Sequence, residues 1–108
     1  MFLELNKTYI NFDKLKWITI EDDCVSLGIE GGTVEKLEPT GGNSAAVVYE
    51  KLKSIILESN EEIINMDTIL FRKTMISSIH NDEKFKISFS DGVENFFELD
   101  STAFINQL

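Results

Sequence analysis

Two stretches of this chain alternate apolar and polar side chains in the same way, and together they confine it to a β-rich fold. In "DDCVSLGIEGG", Val25, Leu27 and Ile29 alternate with Cys24, Ser26 and Gly28; in "DEKFKISFSDG", Phe85, Ile87 and Phe89 alternate with Lys86 and Ser88. A period of two puts each apolar set on one face of a half-buried strand. The "EGG" and "SDG" that follow contain residues able to adopt positive φ, so each strand is expected to turn back into a hairpin.

The halves also correspond outside these hairpins. "FLELN" at residues 2–6 answers "IINMD" at 63–67, Tyr9 and Ile10 answer Leu70 and Phe71, and Leu15 and Ile18 answer Ile76 and Ile79, all at an offset of 61 that becomes 60 after the acidic turn. A one-residue slip belongs in a turn, because within a strand it would exchange the two faces. "NSAAV" and "DSTAF" align once "PTGG" is removed from the first copy. From Ser44 the period changes to that of a helix, with Ala45, Val48, Tyr49, Leu52, Ile55 and Ile56 on one face and Glu50, Lys51 and Lys53 on the other. Asn43 or Ser44 is the candidate N-cap; a shorter C-terminal helix of about two turns would start from Asp100 or Ser101.

The expected architecture is α+β. It has an antiparallel β-sheet of six to eight short strands from two tandem β-rich repeats, βββ(β)α with the second copy truncated, and one main helix over about 44–58 packed on one face of the sheet. Residues 1–108 would form a single domain, internally duplicated into 1–60 and 61–108.

A single cysteine excludes an internal disulfide and a Cys-rich metal cage. No secretory n-region or membrane-length apolar run is present, so the expected location is the cytoplasm of a bacterial cell or of an infected host cell. The net charge is −9, and it is uneven: residues 21–40 hold six acids against one Lys, and 81–100 hold six against two. Such a field repels phosphates and anionic lipid and favours a basic partner. Lys14 and Lys16 beside Trp17 are too few for a nucleic-acid stripe.

Catalysis finds no setting. His80 is the only histidine, and Ser77, Ser78 and Cys24 lack the local structure of an activated nucleophile; Asp22 and Asp23 would raise the Cys24 thiol. Consecutive Glu21, Asp22 and Asp23 diverge and lack EF-hand spacing, so no metal and no cofactor are expected. The loop Gly41, Gly42, Asn43 and Ser44 enters a helix N-terminus, where amides can hold an anion, without the Lys and spacing of a P-loop. Adjacent apolar pairs, Phe2 with Leu3, Ile63 with Ile64, Met75 with Ile76 and Phe96 with Phe97, exceed what one face of a two-layer domain covers. Met75, Phe96 and Phe97 therefore point to a two-fold homodimer.

The functional expectation is a small acidic non-enzymatic binding protein. It would inhibit by occluding a basic protein surface, such as that of a nucleic-acid-processing enzyme, without itself touching nucleic acid or membrane. The class analogy is to phage anti-defence proteins, anti-CRISPR proteins included, and to toxin immunity proteins. Glu21, Asp22, Asp23, Glu30, Asp82, Glu83, Asp91 and Glu94 would meet the partner. The alternative is a small-molecule or nucleotide-binding module using the Gly41–Ser44 loop.

Overall fold

The computed structural model describes residues 2–5, 7–37 and 44–108. In chain order the elements are β1 (Phe2–Leu5), β2 (Thr8–Asn11), a 3-10 turn (Phe12–Lys14), β3 (Leu15–Glu21), β4 (Cys24–Ile29), β5 (Thr33–Leu37) and α1 (Ala45–Glu58). Then follow β6 (Ile63–Asn65), β7 (Ile69–Arg72), a second 3-10 turn (Lys73–Met75), β8 (Ile76–Asn81), β9 (Phe85–Phe89), β10 (Glu94–Phe96) and α2 (Ser101–Ile105). The class is α+β with antiparallel sheets and one main helix, as the periodicities imply.

The helices begin where local chemistry starts them. Ser44 caps α1, its Oγ accepting from the Val47 N–H at 3.2 Å, and Asp100 caps α2 by accepting from the N–H groups of Thr102 and Ala103, both at 3.1 Å. α1 buries Ala45, Val48, Tyr49, Leu52 and Ile56 of the stripe read from the 3.6-residue period, and Ile55, its sixth member, is half-buried against the first core. The second helix is a single short turn and a half that holds because Phe104 is buried beneath it.

The sheet arrangement differs from the single sheet expected. Among the described residues ten strands form three sheets: β1-β2, β10-β9-β8, and a central five-stranded sheet in the order β5-β4-β3-β7-β6. Alternation identifies a strand and its faces but not its neighbour. Here β3 pairs with β7, matching Trp17 to Phe71, Ile18 to Leu70 and Thr19 to Ile69, so the first half of the chain shares a sheet with the second.

The pairing registers run in parallel in the two halves. Phe2↔Asn11 and Leu3↔Ile10 in β1-β2 are matched by Ile63↔Arg72 and Ile64↔Phe71 in β6-β7. Ile18↔Leu27 and Ile20↔Val25 in β3-β4 are matched by Ile79↔Ile87 and Asn81↔Phe85 in β8-β9. Both of these ladders break once, between Leu15 and Trp17 and between Ile76 and Ser78. Gly28↔Val34 is matched by Ser88↔Glu94.

Two cores lie on opposite faces of the central sheet. The first joins Ile18, Val25, Leu27 and Leu70 to α1 and to Leu3 and Ile10 of the β1-β2 hairpin. The second joins Trp17, Ile69 and Phe71 to Phe85, Ile87 and Phe89 of β9 and to Phe104. Successive strand residues point to opposite faces, so a strand between two cores is buried on both, and β7 is buried at all four positions, Ile69, Leu70, Phe71 and Arg72. Most of the apolar surplus seen in the sequence is absorbed this way: Ile64 enters the second core while Ile63 packs against the first, and Phe97 packs edge-on to Trp17 and Phe71 at 5.7 and 5.0 Å. Phe2 and Phe96 stay exposed.

Candidate functional site

Because β10 has only three residues, the three-stranded sheet leaves part of the second face of the central sheet open. The result is a groove of about 380 Å³, with Thr19, Ser26, Val34 and Lys36 of β3, β4 and β5 along one side and Asn95, Phe96 and Glu98 along the other. The face is set by alternation: Val34 and Lys36 of β5 sit opposite Gly28 and Ser26, on the side away from α1. Trp17 and Phe97 close the back of the groove. Phe96 also lines a second depression of about 540 Å³, together with Asp82, Glu83 and Lys84 of the β8-β9 turn and Ser101 of α2. The Lys84 ammonium lies 5.9 Å from the Phe96 ring centroid. This face thus combines an exposed aromatic ring, two lysines and short hydrogen-bonding side chains with four carboxylates, Glu21, Asp82, Glu83 and Glu98.

Trp17 reaches its place because position 28 is glycine. A Cβ there would sit 2.2 Å from the indole ring, so the ring lies directly on the β4 backbone.

The eight acids singled out in the sequence have different fates. Asp22 and Asp23 are exposed in the β3-β4 turn, where Asp22 adopts a positive φ of 53°, and Glu21 borders the first groove. Asp82 and Glu83 border the second. Glu30 pairs with Lys14 at 3.5 Å. Glu94 pairs with Lys86 at 3.4 Å and accepts from Ser88 Oγ at 3.2 Å; the Lys86 hydrogen bond and charge hold its carboxyl below the usual range.

Asp91 is a structural group, half-buried as a residue with its side chain turned inward. Its Oδ2 accepts from Lys16 Nζ at 3.0 Å and from the Gly31 N–H at 2.7 Å, and its Oδ1 accepts from the Val93 N–H at 3.0 Å. Burial alone would raise this carboxyl. The backbone N–H groups of Val93 and Gly31 and the Lys16 ammonium outweigh it, and its pKa falls below the ordinary 3.8. Asp91 thereby ties the β4-β5 turn to the β9-β10 turn. Lys16 is fully buried, 4.7 Å from the Phe89 ring centroid, at the ladder irregularity that turns its side chain inward. Arg72, also buried, donates from Nη1 to the carbonyls of Phe12 and Leu15 at 2.7 and 3.1 Å.

Met75 and Phe97 are half-buried against the second core, and of the three residues assigned to self-association Phe96 is the exposed one. Gly41, Gly42 and Asn43 lie outside the described residues; Ser44 is the α1 cap. Among the described residues no three His, Cys, Asp or Glu side chains converge as metal ligands, and no helix is long and apolar enough to cross a membrane. Lys36 and Asn95 were not singled out from the sequence. The signal for Lys36 was its alternation with Glu35 in "TVEKL", which places it on the face shared with Ser26.

No known family's sequence pattern matches the chain, and a search of curated proteins finds no relative. A solved structure does match in fold. It is the LytTr DNA-binding domain of a protein described as a methyl-accepting/DNA response regulator from Bacillus cereus. The TM-score is 0.53 at 13% identity, over 89% of this chain and 83% of that one. At this identity the likeness establishes the fold.

It also corrects the expectation of an acidic inhibitor, anti-CRISPR-like or otherwise, that occludes a basic protein and makes no direct contact with nucleic acid, since the fold is one that in the Bacillus cereus protein is a DNA-binding domain. That expectation, with its basic-protein partner, rested on net charge. Net charge is a sum over the whole molecule and does not describe any one face: Asp91, Glu30 and Glu94 each have a lysine partner, while Lys36 and Lys84 line the two grooves.

Proposed function

We propose that this chain is a non-enzymatic DNA-binding module that uses the groove-bearing face, with Lys36 and Lys84 meeting phosphate and Thr19, Ser26, Asn95 and Phe96 beside them. The observation that carries this reading is the shared fold with a LytTr DNA-binding domain over 89% of the chain. The mixed polar and aromatic character of the groove supports it. The charge of −9 sets its terms. Each neutralised phosphate contributes about −0.9 to the slope of log K against log salt, so two lysines predict a shallow slope near −2.

Fluorescence anisotropy of a labelled duplex at low salt tests this. The expected result is a dissociation constant in the non-specific range of about 10⁻⁴ to 10⁻⁶ M, with at least a tenfold loss in Lys36→Glu. No anisotropy change with the wild-type chain up to about 1 mM at low salt, or equal binding by Lys36→Glu, overturns the reading.

We infer as well that the chain is one domain built from two copies, residues 1–60 and 61–108. The support is in the ladders: equal registers at a spacing of 61 in β1-β2 and β6-β7, and breaks at corresponding places in β3-β4 and β8-β9. Interstrand nuclear Overhauser contacts test it. Unequal registers in the two halves overturn it.

A further inference from the structure

The β3-β7 junction is used once inside the chain, and both of its counterparts are free. Under the two-copy reading, on which this inference rests, β8 answers β3 and β2 answers β7. Among the described residues β8 pairs with β9 alone and β2 with β1 alone, so each presents an open edge. We propose that a second copy of this chain adds its β2 edge to the β8 edge, head to tail. The register would repeat the internal one: Trp17↔Phe71, Ile18↔Leu70 and Thr19↔Ile69 become Ser78↔Ile10, Ile79↔Tyr9 and His80↔Thr8.

The exposed apolar residues point to this occupant. Leu70 is 2% exposed inside the first core, while its counterpart Tyr9 is 63% exposed. On the receiving side, positions are counted from the N-caps Ser44 and Asp100, which shifts by one residue the alignment of "NSAAV" with "DSTAF" made on sequence. Val48 and Phe104 then correspond and both are buried. Tyr49 and Leu52, at 2% and 1%, share the first core with Leu70, while their counterparts Ile105 and Leu108 are 39% and 55% exposed. The residues that cover one another at the internal junction therefore have counterparts in the other half that are uncovered. An open edge flanked by matching apolar residues is the surface that strand addition uses.

The intermolecular joint lacks three ties of the internal one. Ser77, Gly31 and Asn11 stand where Lys16, Asp91 and Arg72 stand inside the chain. Association is accordingly weak, and because the two surfaces differ it is directional.

Sedimentation of the full chain tests this. The average mass is expected to rise above 12.3 kDa between about 10 µM and 1 mM. Tyr9→Lys, which spoils the donor edge, and Ile105→Glu/Leu108→Glu, which spoils the acceptor, each remain monomeric with unchanged circular dichroism. Mixed together, they form a capped 1:1 dimer, because each retains the surface that the other has lost. A monomeric wild type throughout this range, variants that associate as the wild type does, or monomeric variants that fail to pair on mixing each overturn the proposal. Unequal registers remove the two-copy reading whatever the mass; equal registers in a monomeric chain remove this inference alone.

Discussion

Replacing Asp91 with Ala strands the Lys16 ammonium inside the protein. The Lys16 and Asp91 side chains are 2% and 6% exposed, their charged atoms are 3.0 Å apart, and the Asp91 carboxylate also accepts the Gly31 and Val93 N–H groups. Removing one member of a buried pair costs about 3–5 kcal/mol, against about 0–1 kcal/mol for an exposed pair. Total stability for a domain is about 5–15 kcal/mol, so Asp91→Ala is expected to lower the urea midpoint by a large fraction. Lys16→Met should cost less, since Asp91 keeps two backbone donors. The double variant Lys16→Met/Asp91→Ala should be more stable than Asp91→Ala alone, because no charge is left stranded. The pH dependence has a definite sign. The folded pKa of Asp91 is lowered, so the carboxylate's contribution is fully present above the ordinary value of 3.8 and is lost as pH falls below it toward the folded value. The stability gap between wild type and Asp91→Asn should therefore be flat from about pH 5 upward and close below about pH 4. Equilibrium urea unfolding across that range measures both effects. A cost under about 1 kcal/mol for Asp91→Ala at neutral pH would refute the reasoning, since it would put the pair in the exposed class.

Two further outcomes are expected. Gly28→Ala drives a Cβ into the Trp17 ring and should cost about 1–3 kcal/mol in thermal unfolding, with part of the loss recovered in Trp17→Leu/Gly28→Ala. Burial first, then the charges of Glu50 and Asp67, push the Tyr49 phenol up from 10.0 to about 12, so the folded state holds its proton and stability is lost as pH rises from 10.0 toward 12. Tyr49→Phe should remove that alkaline loss in chemical unfolding and leave neutral-pH stability within about 1 kcal/mol of wild type.

Local signals carried a good part of this fold. The span of α1, its buried stripe and its Ser44 cap follow from spacing and cap chemistry within one segment, and the β4 and β9 faces follow from alternation, because the forces that set them act between residues a few positions apart. The acidic bias was equally legible, but its meaning was not. Nothing near Asp91 in the chain announces that its partner is Lys16, 75 residues away, nor that Lys16 is an interior residue beside a buried tryptophan. The groove could not be read for the same reason: Lys36 and Asn95 line it from two different sheets. The sequence by itself determined which segments are strands and helices and which side of each is apolar. Tertiary structure alone decided that β3 takes β7 as a neighbour, which, among the described residues, splits the strands into three sheets, buries both faces of the central one and leaves the β2 and β8 edges open. The physical reason is that an antiparallel ladder bonds backbone to backbone, so any apolar strand is an acceptable partner, and only the burial of two whole faces together selects among them.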